Sequence, residues 1–181
     1  GGYSGGGYFC FTADMEVMTA KGETKRMDEL EKGDLVLSLQ DGEPTFFPVT
    51  FWLHRNKEQE AEFYKFDLED GNTIKLTDKH YIYKGDCSQV GQILDADYIK
   101  SEPVFAEEVS QGDCLYTFDD EFNLREVRVM SSSVVVEKGI YAPMTSNGRI
   151  FVNNVYASCH NIVNSHTMQK TFFEWKNVKK T

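Results

Sequence analysis

The sequence predicts an all-β fold, and three observations carry that prediction. Short apolar runs rich in Val, Ile, Phe, Tyr and Thr are divided by Asp-Gly and Asn-Gly turn signals, the pattern of strands and hairpins. Ahead of the tail, helical periodicity extends no further than single turns. A unit of about 75 to 80 residues also recurs, as expected of a duplicated β structure. At 181 residues the chain is long enough for one domain with its own core and short for two.

Taken in order, residues 1–9, GGYSGGGYF, hold five of the fourteen glycines and read as a flexible segment, because such a stretch loses too much backbone entropy to order itself. From Cys10 the pattern changes to MEVMTA followed by KGE, DLVLSL by QDGEP, FYKFDL by EDGN, and then TIKLTDKHYIYK, each a strand run with its turn. MDELEKG and FAEEVSQG read as single helical turns before the next strand. YKGDCSQVGQILDADYIKSEP reads as a long loop between repeats, and TMQKTFFEWKNVKK as a short helix or an extended arm.

The repeat rests on two alignments. Asp28 to Leu39, DELEKGDLVLSL, falls without gaps on Glu107 to Phe118, EEVSQGDCLYTF, 79 positions on. In each, an acidic turn passes through Gly-Asp, at Gly33-Asp34 and Gly112-Asp113, into an alternating strand. DLEDGNTIKL likewise resembles PMTSNGRIFV, with Gly71 and Gly148 77 positions apart. Two such units closing on each other predict a pseudo-twofold domain from about Cys10 to about Ser165.

With 29 acidic against 19 basic residues the formal charge is -10, which argues against a phosphate-binding surface and so against nucleic acid as a partner. Hydrophobic residues at 40% and aromatics at 13% fit a folded chain rather than a disordered one, and they are too interrupted for a membrane span. The four cysteines, Cys10, Cys87, Cys114 and Cys159, lack zinc-pair spacing and are too few to build the fold, so no metal or other cofactor is expected. In an oxidising compartment they allow three pairings. No basic and apolar leader opens the chain, which reads as the back end of a longer precursor.

Cys10 stands where the glycine-rich segment enters the first strand. A thiol held there can attack the carbonyl of its own preceding peptide bond, since proximity replaces a bimolecular encounter. That N-to-S shift needs a group to stabilise the tetrahedral oxyanion and one to protonate the departing amine. Thr77 and His80, in LTDKH, offer both, provided the fold brings them to Cys10.

The motifs in sequence, CFTADMEVMTAKGETKRMDELEKGDLVLS from Cys10, TFFPVTFWLHR, LTDKHYIY, EEVSQGDCLYTF and GIYAPMTSNGRIFVNNVYASC, resemble the autoprocessing Hog domain of hedgehog proteins, most closely the warthog and groundhog class of nematodes. The resemblance covers about residues 10–165 and implies the all-β Hint fold, a pseudo-twofold duplicated β unit with a short C-terminal tail. It divides the chain into a flexible segment at 1–9 ahead of the scissile bond, a Hint autoprocessing domain at 10–165, and a tail at 166–181 that could begin an adduct-recognition region. It further implies single-turnover self-cleavage: Cys10 attacks the Phe9-Cys10 bond to form a thioester, His80 protonates the leaving nitrogen, and Thr77 orients the same peptide. Cys159 would lie close to the nucleophile, hydrogen-bonded to it or joined to it by a reversible disulfide. An acceptor alcohol, cholesterol in hedgehog proteins, would then take the N-terminal product. The partners implied are that acceptor, a sterol or other lipid, and the chain's own N-terminal precursor segment, with the domain acting as a monomer in the secretory pathway and outside the cell.

Three features depart from that pattern. His54 stands where hedgehog proteins carry the aspartate that activates the sterol hydroxyl; a neutral imidazole can be a base at pH 7 but lacks the carboxylate's charge. Phe9 replaces the usual glycine before the nucleophile. Only about twenty residues follow the core, with Met168, Phe172, Phe173 and Trp175 as their apolar content. Cys87 and Cys114 match no catalytic position and are expected as inert buried thiols, with a disulfide between them as the lesser option.

Two other readings compete. Inteins share the Hint fold, and VNSH at 163–166 superficially resembles their asparagine-nucleophile ending, but His160-Asn161 precedes Ile162 rather than a nucleophile. A secreted binding module with an idle cysteine is the non-enzymatic reading. Ligation of flanking segments with Asn164 cyclisation would mark the first, and a precursor that stays intact the second.

Overall fold

The computed structural model describes residues 9–95, 99 and 102–161, the last two through their strand backbone alone. Twelve strands make nearly all of it. β1 (Glu16–Met18) and β2 (Thr24–Arg26) form a small hairpin, and the other ten form one continuous folded sheet. These are β3 (Leu35–Gln40), β4 (Glu43–Leu68), β5 (Thr73–Leu76), β6 (His80–Ile82), β7 (Lys84–Gly85), β8 (Val104–Phe105), β9 (Cys114–Phe118), β10 (Leu124–Thr145), β11 (Arg149–Val152) and β12 (Val155–Asn161).

Two of the expected short strands prove long: β4 has 26 residues and β10 has 22, paired antiparallel along most of their length. Each strand runs through both halves of the molecule. The polar stretch HRNKEQE hides this continuity, because Arg55, Asn56, Lys57 and Glu58 are exposed in succession, even where their β10 partners Tyr141 and Ile140 are buried, and so lose the alternation that burial imposes. Bulges bend the ribbon back over the core, one of them between Lys138 and Ile140. There Gly139 has φ +108, and a Cβ would stand 3.1 Å from the Tyr141 ring, so the bend requires glycine twice over.

The duplication holds in detail. Gly33 donates to Val49 O at 2.8 Å, and Val49 N returns a bond to Asp34 O at 2.9 Å; Gly112 and Val129 repeat this at 2.9 Å, with the return bond to Asp113 O at 2.8 Å. The Asp34 carboxylate accepts from Glu31 N, as the Asp113 carboxylate does from Ser110 N. Both glycines sit at positive φ, +94 and +91, which is why each acidic turn ends in Gly-Asp. Further on, Gly71 N donates to Leu68 O and Gly148 N to Thr145 O, matching the second alignment. The two halves share one core, in which Phe11, Phe66, Leu76 and Ile82 pack with Leu115, Ile150, Val152 and Val155.

Two local expectations change. Only the second acidic turn closes as a helical turn, a 3-10 turn at Ala106–Glu108, whereas Met27–Glu29 is a plain turn. Cys87 and Cys114 are not inert thiols but a disulfide, which anchors the Asp86–Ile93 excursion to the start of β9. Sequence could not choose that pair, because what selects it is the β7–β9 pairing of Gly85 with Cys114. Closing a loop between residues 27 apart restricts the unfolded chain by about 3 to 4 kcal/mol on the entropic account. A Cys87→Ser/Cys114→Ser variant is therefore expected to unfold at clearly lower urea; an unchanged midpoint would mean the bond does not stabilise the fold.

Candidate active site around Cys10

The segment entering at Phe9 is laid between β5 and β10. Phe11 bridges Tyr141 on one side, with Phe11 N to Tyr141 O at 2.8 Å and the return bond at 3.1 Å, and Leu76 on the other. This registers Cys10 against Thr77: Thr77 N donates to Cys10 O, and Cys10 N donates to Thr77 Oγ1, both at 3.0 Å. The N–H of the Phe9-Cys10 peptide bond thus rests on the Thr77 hydroxyl. Cys10, Phe11, Thr12, Thr77 and His80 are all 0% exposed.

His80 is placed by the Thr77–His80 turn, its N–H on Thr77 O at 3.1 Å, and by β6, which pairs with β12. Its ring lies 4.3 Å from the Phe11 ring, centroid to centroid. Nε2 is 2.7 Å from Ser158 O. A carbonyl oxygen only accepts, so Nε2 carries hydrogen, and in the neutral ring Nδ1 then carries the lone pair.

Burial pushes the Cys10 thiol far up from its ordinary range, against a hydrogen bond with the Phe9 backbone, so Cys10 rests as a neutral thiol. Burial also raises Cys159, to about 11, with the Thr145 bonds working the other way. The Cys159 thiol meets Thr145 Oγ1 at 3.4 Å, and its N–H is fixed on Gly148 O. Both thiols are free, so the reversible disulfide between them is not formed here. His54 lies on β4 opposite Ala142, and Ala142 packs with Cys10, Ile140 and Phe63 in one apolar cluster. His54 is thus paired with a residue of the Cys10 cluster, and its neighbour Leu53 packs on the same cluster. Its burial lowers the imidazole pKa.

Cys10, Thr77 and His80 therefore meet in one buried site, with Cys159 and His54 on strands that border it. The apolar tail residues and Asn164 lie outside the described residues. Sequence reasoning passed over the Ser158 carbonyl that sets the His80 tautomer, and the Thr145 hydroxyl at Cys159. It also passed over a charged network of Asp14, Lys75 and Glu137, in which Lys75 Nζ lies 2.8 Å from each carboxylate. The signal for Lys75 was present: a lysine in the apolar strand TIKLT, two residues before Thr77 and so on the same strand face.

A duplicated, pseudo-twofold β module that the chain enters through a buried cysteine ahead of the first strand, its amide held by threonine beside histidine, is the architecture of the Hint class. The profile of the Hint module family matches residues 3–181, and the chain belongs to that family. It is similar to Warthog protein 8 of Caenorhabditis elegans, 40% identical over 169 residues that make up 92% of this chain and 30% of that protein. It is also similar to Protein hedgehog of Drosophila pseudoobscura pseudoobscura, 30% identical over 161 residues, 88% of this chain and 32% of the relative. The chain thus spans about a third of these relatives' length. Among solved structures, the gp41-1 intein superposes with a TM-score of 0.61 at 19% identity, covering 83% of this chain and 98% of its own, a likeness of fold.

Proposed function

We propose that the chain is a self-cleaving domain that converts the Phe9-Cys10 peptide bond into a thioester and passes the N-terminal segment to an acceptor alcohol. The observation that carries this reading is the N–H of that bond held on Thr77 Oγ1 in the same buried site as the free Cys10 thiol and His80. Cys10 Sγ attacks the Phe9 carbonyl carbon while His80 Nδ1 takes the thiol proton. Thr77 keeps the amide oriented, the C–N bond breaks, and His80 delivers the proton to the Cys10 amine. Carbonyl and sulfur remain joined as the thioester. In the second step the acceptor oxygen forms an ester with the Phe9 carbonyl, the C–S bond breaks, and the thiol is regenerated.

The acceptor in this reading is a sterol or other lipid alcohol, with His54 as the base that takes its proton. Burial lowers the His54 pKa from 6.5, so the imidazole is neutral and able to act at pH 7. Transfer should fade only as pH falls through that lowered pKa, below the usual histidine range. The Cys87–Cys114 disulfide supports a secretory or extracellular setting, and the domain works as a monomer on its own N-terminal segment.

The test is an N-terminal reporter fused ahead of the chain and incubated with a lipid extract. The released reporter is expected to exceed the mass of its free acid by the mass of the acceptor less water. His54→Ala should abolish that adduct while leaving hydroxylamine-induced release intact; an adduct that persists in His54→Ala removes His54 from the mechanism. Ligated flanking segments would establish splicing instead, and an intact precursor would leave the non-catalytic reading.

A further inference from the structure

The segment that carries Cys10 is joined to β5 by an irregular set of bonds. Beyond the Cys10–Thr77 pair and the Phe11–Leu76 bridge, the next backbone donor of β5, Lys75 N, reaches not a carbonyl but Met15 Sδ, at 3.4 Å. A side-chain clamp stands where the ladder is missing. Thr12 Oγ1 donates to Asp14 Oδ1 at 2.7 Å, and Asp14 Oδ2 accepts from Lys75 Nζ at 2.8 Å. Lys75 Nζ also donates to Glu137 Oε2 on β10, at 2.8 Å. One ammonium, on a residue only 8% exposed, thus ties together the entering segment and both strands that flank it.

The clamp sits close to the chemistry without touching it. Lys75 is two residues before Thr77, on the same face of the strand, and Thr12 is two residues after Cys10. The Cys10 N–H to Thr77 Oγ1 bond depends on the relative register of these two segments. We propose that Lys75 is a positioning residue for the acyl shift: through Asp14 and Glu137 it holds the Cys10 segment against β5, so that the scissile amide stays on the Thr77 hydroxyl. The inference rests on the self-cleavage reading above and adds to it a residue that acts through others. Buried charge is suited to the task, because an ammonium with two carboxylates fixes direction and distance where apolar contact would allow sliding.

Three variants test it. Lys75→Met leaves two adjoining carboxylates, Asp14 exposed and Glu137 partly buried, without their cation and risks unfolding. The triple variant Asp14→Asn/Lys75→Met/Glu137→Gln removes all the charge together and is expected to keep the fold. Lys75→Arg keeps the cation. Cleavage of the N-terminal reporter is followed against hydroxylamine concentration, where the plateau reports thioester supply and the half-saturating concentration reports access of the trap. In the triple variant the plateau rate is expected to fall about tenfold to a hundredfold, the size of effect that small misplacement produces, with unchanged half-saturation. Lys75→Arg is expected to recover most of it. A folded triple variant with the wild-type plateau, or a loss that appears only in half-saturation, overturns the proposal.

Amide hydrogen exchange keeps the two readings separate, because it needs no cleavage. Cys10 and Thr77 amides should exchange faster in the triple variant while Phe66 and Ile150 stay protected. If wild type fails to cleave but this local change appears, the self-cleavage reading falls and the clamp stands; if wild type cleaves and the exchange is unaltered, the clamp falls alone.

Discussion

Hydroxylamine is expected to release an N-terminal reporter from the wild-type chain, and Cys10→Ala to leave it attached. The effect should be complete rather than graded, because the alternative route is direct attack on an amide. Hydroxylamine intercepts a thioester readily, whereas a peptide bond whose N–H is held on Thr77 at the buried Cys10 is shielded from it. It also spares the Cys87–Cys114 disulfide, which a reducing thiol would open. Cys10 is 0% exposed within an apolar cluster, so removing only its sulfur should leave a folded protein, which unchanged near-ultraviolet circular dichroism would verify. Release from Cys10→Ala at the wild-type rate would rule out the thioester.

The second large effect is expected at His80. A positioned proton-transfer group contributes about a hundredfold to ten-thousandfold, so His80→Ala should slow release by that order. The ring is also structural, packed on Phe11 and bonded to Ser158 O, and its loss leaves a void in the core. The companion change is Thr77→Val, nearly equal in shape, which removes only the acceptor of the Cys10 N–H. It should slow the same step, whereas Thr77→Ser, which keeps the hydroxyl, should retain most of the rate. Slow release in folded His80→Ala and in Thr77→Val, with the rate kept in Thr77→Ser, identifies the amide as the place where both residues act. Wild-type rates in both His80→Ala and Thr77→Val would overturn their roles.

Much of the fold was legible because its signals are local. The Gly-Asp turns at Gly33 and Gly112 need a positive φ and a carboxylate that closes the turn, and only a few residue types meet those demands, so the repeat survives in sequence. The length of β4 and β10 was not legible, since residues 54–60 owe their extension to a partner strand about eighty residues away rather than to their own alternation. The same holds for the cysteines. Cys87 and Cys114 differ from Cys10 and Cys159 not by their neighbours in sequence but by the strand pairing that brings one pair together and leaves the other pair free. Lys75 was visible as an anomaly, a charge in an apolar strand, yet its two carboxylates lie 61 and 62 positions away on either side.

The sequence by itself determined the class of fold, the duplication and the chemistry on offer: a thiol at the mouth of a β domain, with a threonine and a histidine three residues apart. Turn geometry, strand propensity and nucleophilic character reside in the residues themselves. Only the tertiary structure decided that Thr77 Oγ1 receives the Cys10 N–H, that Ser158 O fixes the His80 tautomer, and that Lys75 ties the Cys10 segment to its neighbours. The physical reason is range. A hydrogen bond or ion pair acts over about 3 Å, and which atoms come within that distance depends on how β5, β10 and β12 are brought together around the entering chain.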